Sequence, residues 1–467
     1  MATFFVDSTG VVTTASTDSD SIFIQSAAVR GSELLGLAGN DTINITQGAA
    51  ADGSAVGMIV KGADGDDLFL IDALGSFSAG DHTLIAGAGN DTVNLSGSSA
   101  DWLKGNGGAD RFILSGTNSF SAIALGAGAD ELVLQSATTI NRIALGDGHD
   151  KISASTILFA TAASLVGGAG RDTIDLTIGA ASISTALING GAAQDSITLA
   201  GLEAGSTVKG MGGDDTITLS GQAATSAFIA AGADNDMVTI SGLADDATLA
   251  GGGGADTIRM ADNINGVSAE IFGGSGNDSI HFDGIADLDT YSASVVGGAG
   301  ADTIRFSAAA GFSGSLGILS YSSFSESDLT NTDVLSVSLD AESGGTVTID
   351  YTDNLTAVTV GEVSAAVLIG NATFSGNITE NIVTLSGDSL NVSSVTAVAG
   401  TVDTLTLGEG KGASVLFSNN EGEDYFFVQG GAAGTADDSI ISLGDLSGAT
   451  MAIAASTAMN ITFSGQA

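Results

Sequence analysis

The chain has 467 residues, with 68 Gly, no Pro and no Cys. The lack of Cys removes disulfides, thiolate metal sites and thiol nucleophiles together, and Gly-richness without Pro excludes collagen and Pro/Gly linkers. Eleven Lys and Arg stand against 54 Asp and Glu, a net charge of −43, which leaves no basic cluster for nucleic acid. No run approaches about 18 apolar residues, so no membrane insertion is expected.

Residues 1–35 are expected to form a β cap or arm. Thr3-Phe4-Phe5-Val6 and Ser21-Ile22-Phe23-Ile24 read as short strands there. Met1 to Val6 is apolar but short, and the first basic residue is Arg30. No N-terminal signal peptide is expected.

From 36 to 306 one phrase repeats. Its cleanest copy is Gly297-Gly298-Ala299-Gly300-Ala301-Asp302-Thr303-Ile304, numbered here as positions one to eight. Position six is Asp41, Asp67, Asp91, Asp110, Asp130, Asp150, Asp172, Asp195, Asp215, Asp236, Asp256, Asp278 and Asp302. Position eight is large and apolar in every copy, from Ile43 and Phe69 to Ile280 and Ile304. Position four is Gly39, Gly65, Gly89, Gly108, Gly128, Gly148, Gly170, Gly213, Gly254, Gly276 and Gly300, with Ala193 and Asp234 as exceptions.

Successive Asp residues lie 19 to 26 apart, which defines about 13 coils. In each coil one strand-like run leaves the Asp turn, as in Thr216-Ile217-Thr218-Leu219, and another returns to the next, as in Phe228-Ile229-Ala230. Alternation places Ile217 and Leu219 inside, and Thr216 and Thr218 outside. Asn44, Asn94 and equivalent Thr residues are expected to form outer ladders.

Gly supplies the positive φ of a tight turn without a Cβ clash. Such a turn aims carbonyl oxygens at one point, and Asp adds a charged oxygen. Calcium takes six to eight oxygens at about 2.3–2.6 Å in a loose geometry, a demand this chemistry meets. Ala holds positive φ poorly, so the Ala193 turn is expected to be empty or distorted and Asp195 to be the poorest ligand.

These residues resemble the RTX repeats of Gram-negative secreted proteins, over about 36–306. The resemblance implies a parallel β-roll, or β-solenoid, with calcium between turns one coil apart. It places the ligands on the position-six Asp residues and the turn carbonyls. The family usually carries a motif at both ends of the coil. Here there is one per coil, so one edge is expected to be the ion ladder. Thirteen turns then give about twelve Ca2+ sites, and roughly +24 of charge to set against −43. Relatives of this type leave through a type I channel on an uncleaved C-terminal signal, which implies an extracellular or cell-surface location.

Beyond Phe306 the phrase stops. Runs such as Val334-Leu335-Ser336-Val337 and Tyr425-Phe426-Phe427-Val428 keep 307–467 all-β. Both a continuation of the solenoid and a β-sandwich fit them.

No metalloprotease helix, nucleophile elbow or phosphate loop occurs, and His82, His149 and His281 stand far apart. An enzyme is not expected. The reading is a calcium-stabilised structural protein that assembles with copies of itself through calcium-dependent contacts, as a surface layer or surface filament. A virion appendage or fibre is the alternative, and an adhesin or binding module is a third class. Candidates for a cell-surface polysaccharide contact are Tyr321, Tyr351 and Tyr425.

Overall fold

The computed structural model describes residues 3–6, 17–24, 33–46, 59–72, 82–177 (apart from 98, 117, 137 and 155–156), 186–285 (apart from 262–266) and 292–299, with separate strands from 303 to 464. No helix occurs among them. The chain divides into two units, Met1–Gly221 with Ala227–Ala231, and Gln222–Ser226 with Gly232–Ala467.

In the first unit each Asp coil gives one strand to each of two parallel sheets. The strands that leave the Asp turn, Thr42–Thr46, Leu68–Asp72, Thr92–Ser96 and Arg111–Ser115, pair in register. The strands that return to it, Glu33–Ala38, Ile59–Asp64 and Thr83–Ala88, pair likewise. An in-register parallel sheet stacks each motif position on itself, about 4.8 Å apart. One residue type at one position thereby becomes a column.

The position-eight column is the floor of the core. Ile43, Phe69, Val93, Phe112, Leu132 and Ile152 are all fully buried. Position ten adds Ile45, Ile71, Leu95 and Leu114, and the return strands face them with Leu34, Val60, Leu84 and Leu103. The alternating burial along Glu131–Leu134 and Ser196–Leu199 is the period of two that their sequences carry.

The outer Asn ladder is not continuous. Asn44 pairs with Leu70, and Leu70 with Asn94, so an apolar residue separates the two. Further along the same face Arg111 Nε meets Glu131 Oε2 at 2.6 Å across neighbouring strands. Half-exposed pairs of this kind contribute about 0–1 kcal/mol.

The sheet also reaches into the N-terminal segment. Ser21–Ile24 pairs with Thr42–Thr46 in the common register, Ser21 beside Thr42 and Ile22 beside Ile43. Thr3–Val6 pairs parallel with Ser21–Ile24.

In the second unit Met237–Leu243, Thr257–Met260, Ser279–Ile285 and Thr303–Ala308 form parallel neighbours. The return strands Thr248–Gly253, Val267–Ser275 and Ser292–Ala299 do the same. The later strands change habit. Asp333–Ser338 pairs parallel with Thr303–Ala308 but antiparallel with Met459–Ser464. Ala372–Thr379 with Ile382–Gly387, and Ser414–Ser418 with Asp424–Val428, are antiparallel. The region is all-β and leaves the purely parallel pattern.

Candidate metal centre

Positive φ at positions two and four bends each described turn, and most of these residues are Gly. Gly87 has φ +136° and Gly89 φ +126°; Gly126 and Gly128 repeat the pair at +119° and +139°. The reason is the coil beneath. A Cβ on Gly87 would lie 2.1 Å from the Ala63 carbonyl oxygen, and one on Gly89 would lie 2.2 Å from that of Gly65. Carbonyls at positions two and four therefore point up into the gap between coils. The position-one carbonyl of the upper coil points down into it. The Ala86 oxygen stands 2.3 Å from where a Cβ on Gly62 would be.

The Asp side chain completes the gap. All twelve described position-six residues, Asp41 through Asp278, are 1–3 % exposed. Asp302 lies outside the described residues, as does Gly300. Oδ1 of the carboxyls from Asp41 to Asp215, and of Asp256 and Asp278, accepts a hydrogen bond from the amide of the Asp one coil earlier. Asp41 N to Asp67 Oδ1 is 2.7 Å, Asp67 N to Asp91 Oδ1 is 2.8 Å and Asp256 N to Asp278 Oδ1 is 2.9 Å. The second oxygen, Oδ2, has no protein partner in Asp41, Asp67, Asp91, Asp110, Asp130, Asp150, Asp172, Asp195 and Asp256. It is buried, and where position one is Gly it is aimed at that Gly of its own turn. Asp67 Oδ2 would stand 2.0 Å from a Cβ on Gly62, and Asp110 Oδ2 would stand 2.3 Å from one on Gly105.

A buried, unpaired carboxylate oxygen is expensive. Burial pushes the carboxyls of Asp67, Asp110 and Asp172 up to about 7, and those of Asp91, Asp130, Asp195 and Asp256 to about 6. The backbone hydrogen bond opposes the rise, and neighbouring Asp charges add to it at Asp67, Asp110 and Asp172. A gap with Gly at position one is thus lined by one carboxylate oxygen and carbonyls from two coils. This donor set fits a hard divalent cation of the calcium type and offers nothing to a soft one. Among the described residues no three acidic or His side chains gather as a cluster. A cation in these gaps would be held mainly by main-chain oxygens.

The repeats match a family model, the RTX calcium-binding nonapeptide repeat, over residues 78–97, 95–120 and 270–284. The chain carries RTX-type calcium-binding repeats in a parallel β-roll. No curated protein matches its sequence. Among solved structures it is similar to a hyperactive, Ca2+-dependent, β-helical antifreeze protein from an Antarctic bacterium. That likeness has 15 % identity and a TM-score of 0.30, and covers 69 % of this chain and 78 % of the other. The architecture of the RTX roll stands on its own strand registers.

The roll carries a second, exposed ladder at position five that runs the opposite way. Asn40 Oδ1 accepts from the Asp66 amide at 3.0 Å, Asp66 Oδ1 from Asn90 at 2.8 Å and Asn90 Oδ1 from Ala109 at 2.7 Å. His149 takes part, its Nδ1 accepting from the Arg171 amide at 2.9 Å.

The Ala193 turn keeps its left-handed backbone and its hydrogen bonds, while its gap is wider than its neighbour's. Ala193 sits at φ +79° and Asp234 at +77°, both in the left-handed region. Asp195 keeps both column bonds, accepting from Asp172 at 2.8 Å and donating to Asp215 at 2.7 Å. Bonds to the coils on both sides outweigh a left-handed cost of about 1–2 kcal/mol for a residue with a Cβ. The trace of that strain is a wider gap: the Gly210 oxygen is 3.0 Å from where a Cβ on Gly190 would be, against 2.0 Å for the equivalent Gly190 oxygen at Gly167. Ala193→Gly is expected to raise stability by about 1 kcal/mol, read as the thermal midpoint of the calcium-loaded protein.

Sequence reasoning missed one member of the column. Asp20 is fully buried, and its amide donates to Asp41 Oδ1 at 2.7 Å. The Thr42 amide reaches the Asp20 carbonyl at 2.8 Å, as Leu68 reaches that of Asp41. Its signal was Asp20-Ser21-Ile22, the Asp-x-apolar ending of the phrase, without the preceding glycines. Of the carbohydrate candidates, Tyr321 ends strand Gly317–Tyr321 and Tyr425 lies in Asp424–Val428, while Tyr351 falls outside the described residues.

Proposed function

We propose that this chain is a non-catalytic, calcium-stabilised structural protein of the cell exterior, a self-assembling subunit of a surface layer or filament. One observation carries the reading: a column of buried Asp carboxyls, each with an oxygen turned into a gap between coils that main-chain oxygens also line. The position-six Asp residues and the turn carbonyls are the ligands. Weak sites suit the location. Affinity for calcium rises with the number of charged ligands, and extracellular modules work at about 10⁻⁴–10⁻³ M. A gap with one carboxylate belongs to that class.

Assembly follows from charge. Bare chains at −43 repel, and bound calcium offsets that repulsion where copies meet. The full-length chain is expected to stay dispersed in chelator and to form ordered assemblies in millimolar calcium, seen by light scattering and negative-stain microscopy. A chain that stays monomeric at high calcium and high concentration refutes self-assembly.

A further inference from the structure

We infer that position one of the repeat, not position four, decides which coils hold a cation, so the ladder is interrupted and carries fewer ions than it has gaps. The inference rests on the calcium reading above and adds a selection rule to it.

At Gly62, Gly105, Gly167 and Gly210 the place of a Cβ is a cradle. It lies 2.0–2.4 Å from Oδ2 of the turn's own Asp and 2.0–2.3 Å from the position-one carbonyl of the next coil. Those spans are close to calcium–oxygen distances of about 2.3–2.6 Å, and too short for any carbon. The absent side chain leaves the room that the cation needs. Eight coils with described Asp residues carry Gly at this position, six in the first unit and two, Gly251 and Gly273, in the second.

Four coils carry a side chain instead: Ala86 before Asp91, Leu125 before Asp130, Leu145 before Asp150 and Ala231 before Asp236. All four are fully buried. Register fixes where they stand. Ala124 pairs with Lys104 and Gly126 with Asn106, so Leu125 lies over Gly105, and Leu145 follows over Leu125 in the same way. Their Cβ atoms occupy the column that is a cradle elsewhere. A methyl or isobutyl group supplies no ligand oxygen and fills the space. Each of these coils replaces an ion by an apolar plug, and the adjacent Leu125 and Leu145 make a two-coil break. The Ala193 coil, with Gly190 at position one, stays in the binding set.

The test counts ions. Folded full-length protein is dialysed against calcium and the bound metal measured by mass spectrometry, with circular dichroism as the check on folding. Leu125→Gly/Leu145→Gly is expected to bind two more ions per chain than wild type, and Gly105→Ala one fewer. A folded double variant with an unchanged count overturns the inference. If the double variant does not fold, Gly105→Ala decides alone, and a count equal to wild type overturns it. A wild-type chain that binds no calcium sinks the calcium reading itself, a result distinct from either.

Discussion

Chelation at neutral pH will abolish the β-sheet circular dichroism of the roll, and calcium will restore it where magnesium does so poorly. The magnitudes favour complete loss. A ligand present at a tenfold excess over its Kd, and bound only by the folded state, stabilises it by about 1.4 kcal/mol per site. Eight such sites amount to about 11 kcal/mol, comparable with the whole stability of a domain, about 5–15 kcal/mol. Without cations the same column is a liability. Asp67, Asp91 and Asp110 are buried in successive coils, each with a partnerless oxygen. Magnesium is a poor substitute because it demands near-octahedral geometry at about 2.0–2.1 Å and sheds water reluctantly, and these gaps are built from fixed carbonyls. A spectrum unchanged by chelator would contradict this.

The ion-free chain will refold as the pH falls, the reverse of ordinary acid denaturation. Burial holds the folded carboxyls at about 7 for Asp67, Asp110 and Asp172, and about 6 for Asp91, Asp130, Asp195 and Asp256. In the unfolded chain Asp titrates near 3.9. Between about pH 4 and 7 the folded state therefore binds more protons, and stability falls as pH rises. The penalty is full above pH 7 and gone below pH 4. In chelator, β structure absent at pH 8 should return near pH 5. With calcium present the same protonation competes with the ion, so apparent calcium affinity should drop as the pH is lowered through 7 to 6. Ion-free stability that declines steadily on acidification would contradict the burial of these groups.

Much of the roll was legible because its register repeats. Asp at position six and a large apolar residue at position eight recur at coil spacing, and both prove buried, as at Asp110 and Phe112. Three features were not legible, each for a physical reason. Asp20 belongs to the column, but Ser16, Thr17 and Asp18 hide its turn. Leu37, Ala63, Asn106 and Met211 hold φ between +87° and +92° without being Gly; stacked carbonyls impose that geometry, and a single turn's sequence does not show it. The consequence of Leu125 at position one appears only when Gly105 lies beneath it. After Phe306 the sequence left solenoid and sandwich open because no residue type recurs at a fixed spacing. The antiparallel partners of Ile382–Gly387 and Asp424–Val428 depend on turns that carry no repeated signature.

The most direct measurement is calcium bound per folded full-length chain, by equilibrium dialysis at pH 7.5 with millimolar free ion. The described coils predict about eight ions, one for each Gly cradle, released together as the sheet signal is lost in chelator. A folded chain that binds none, or one that keeps its fold after every ion is removed, would contradict the account.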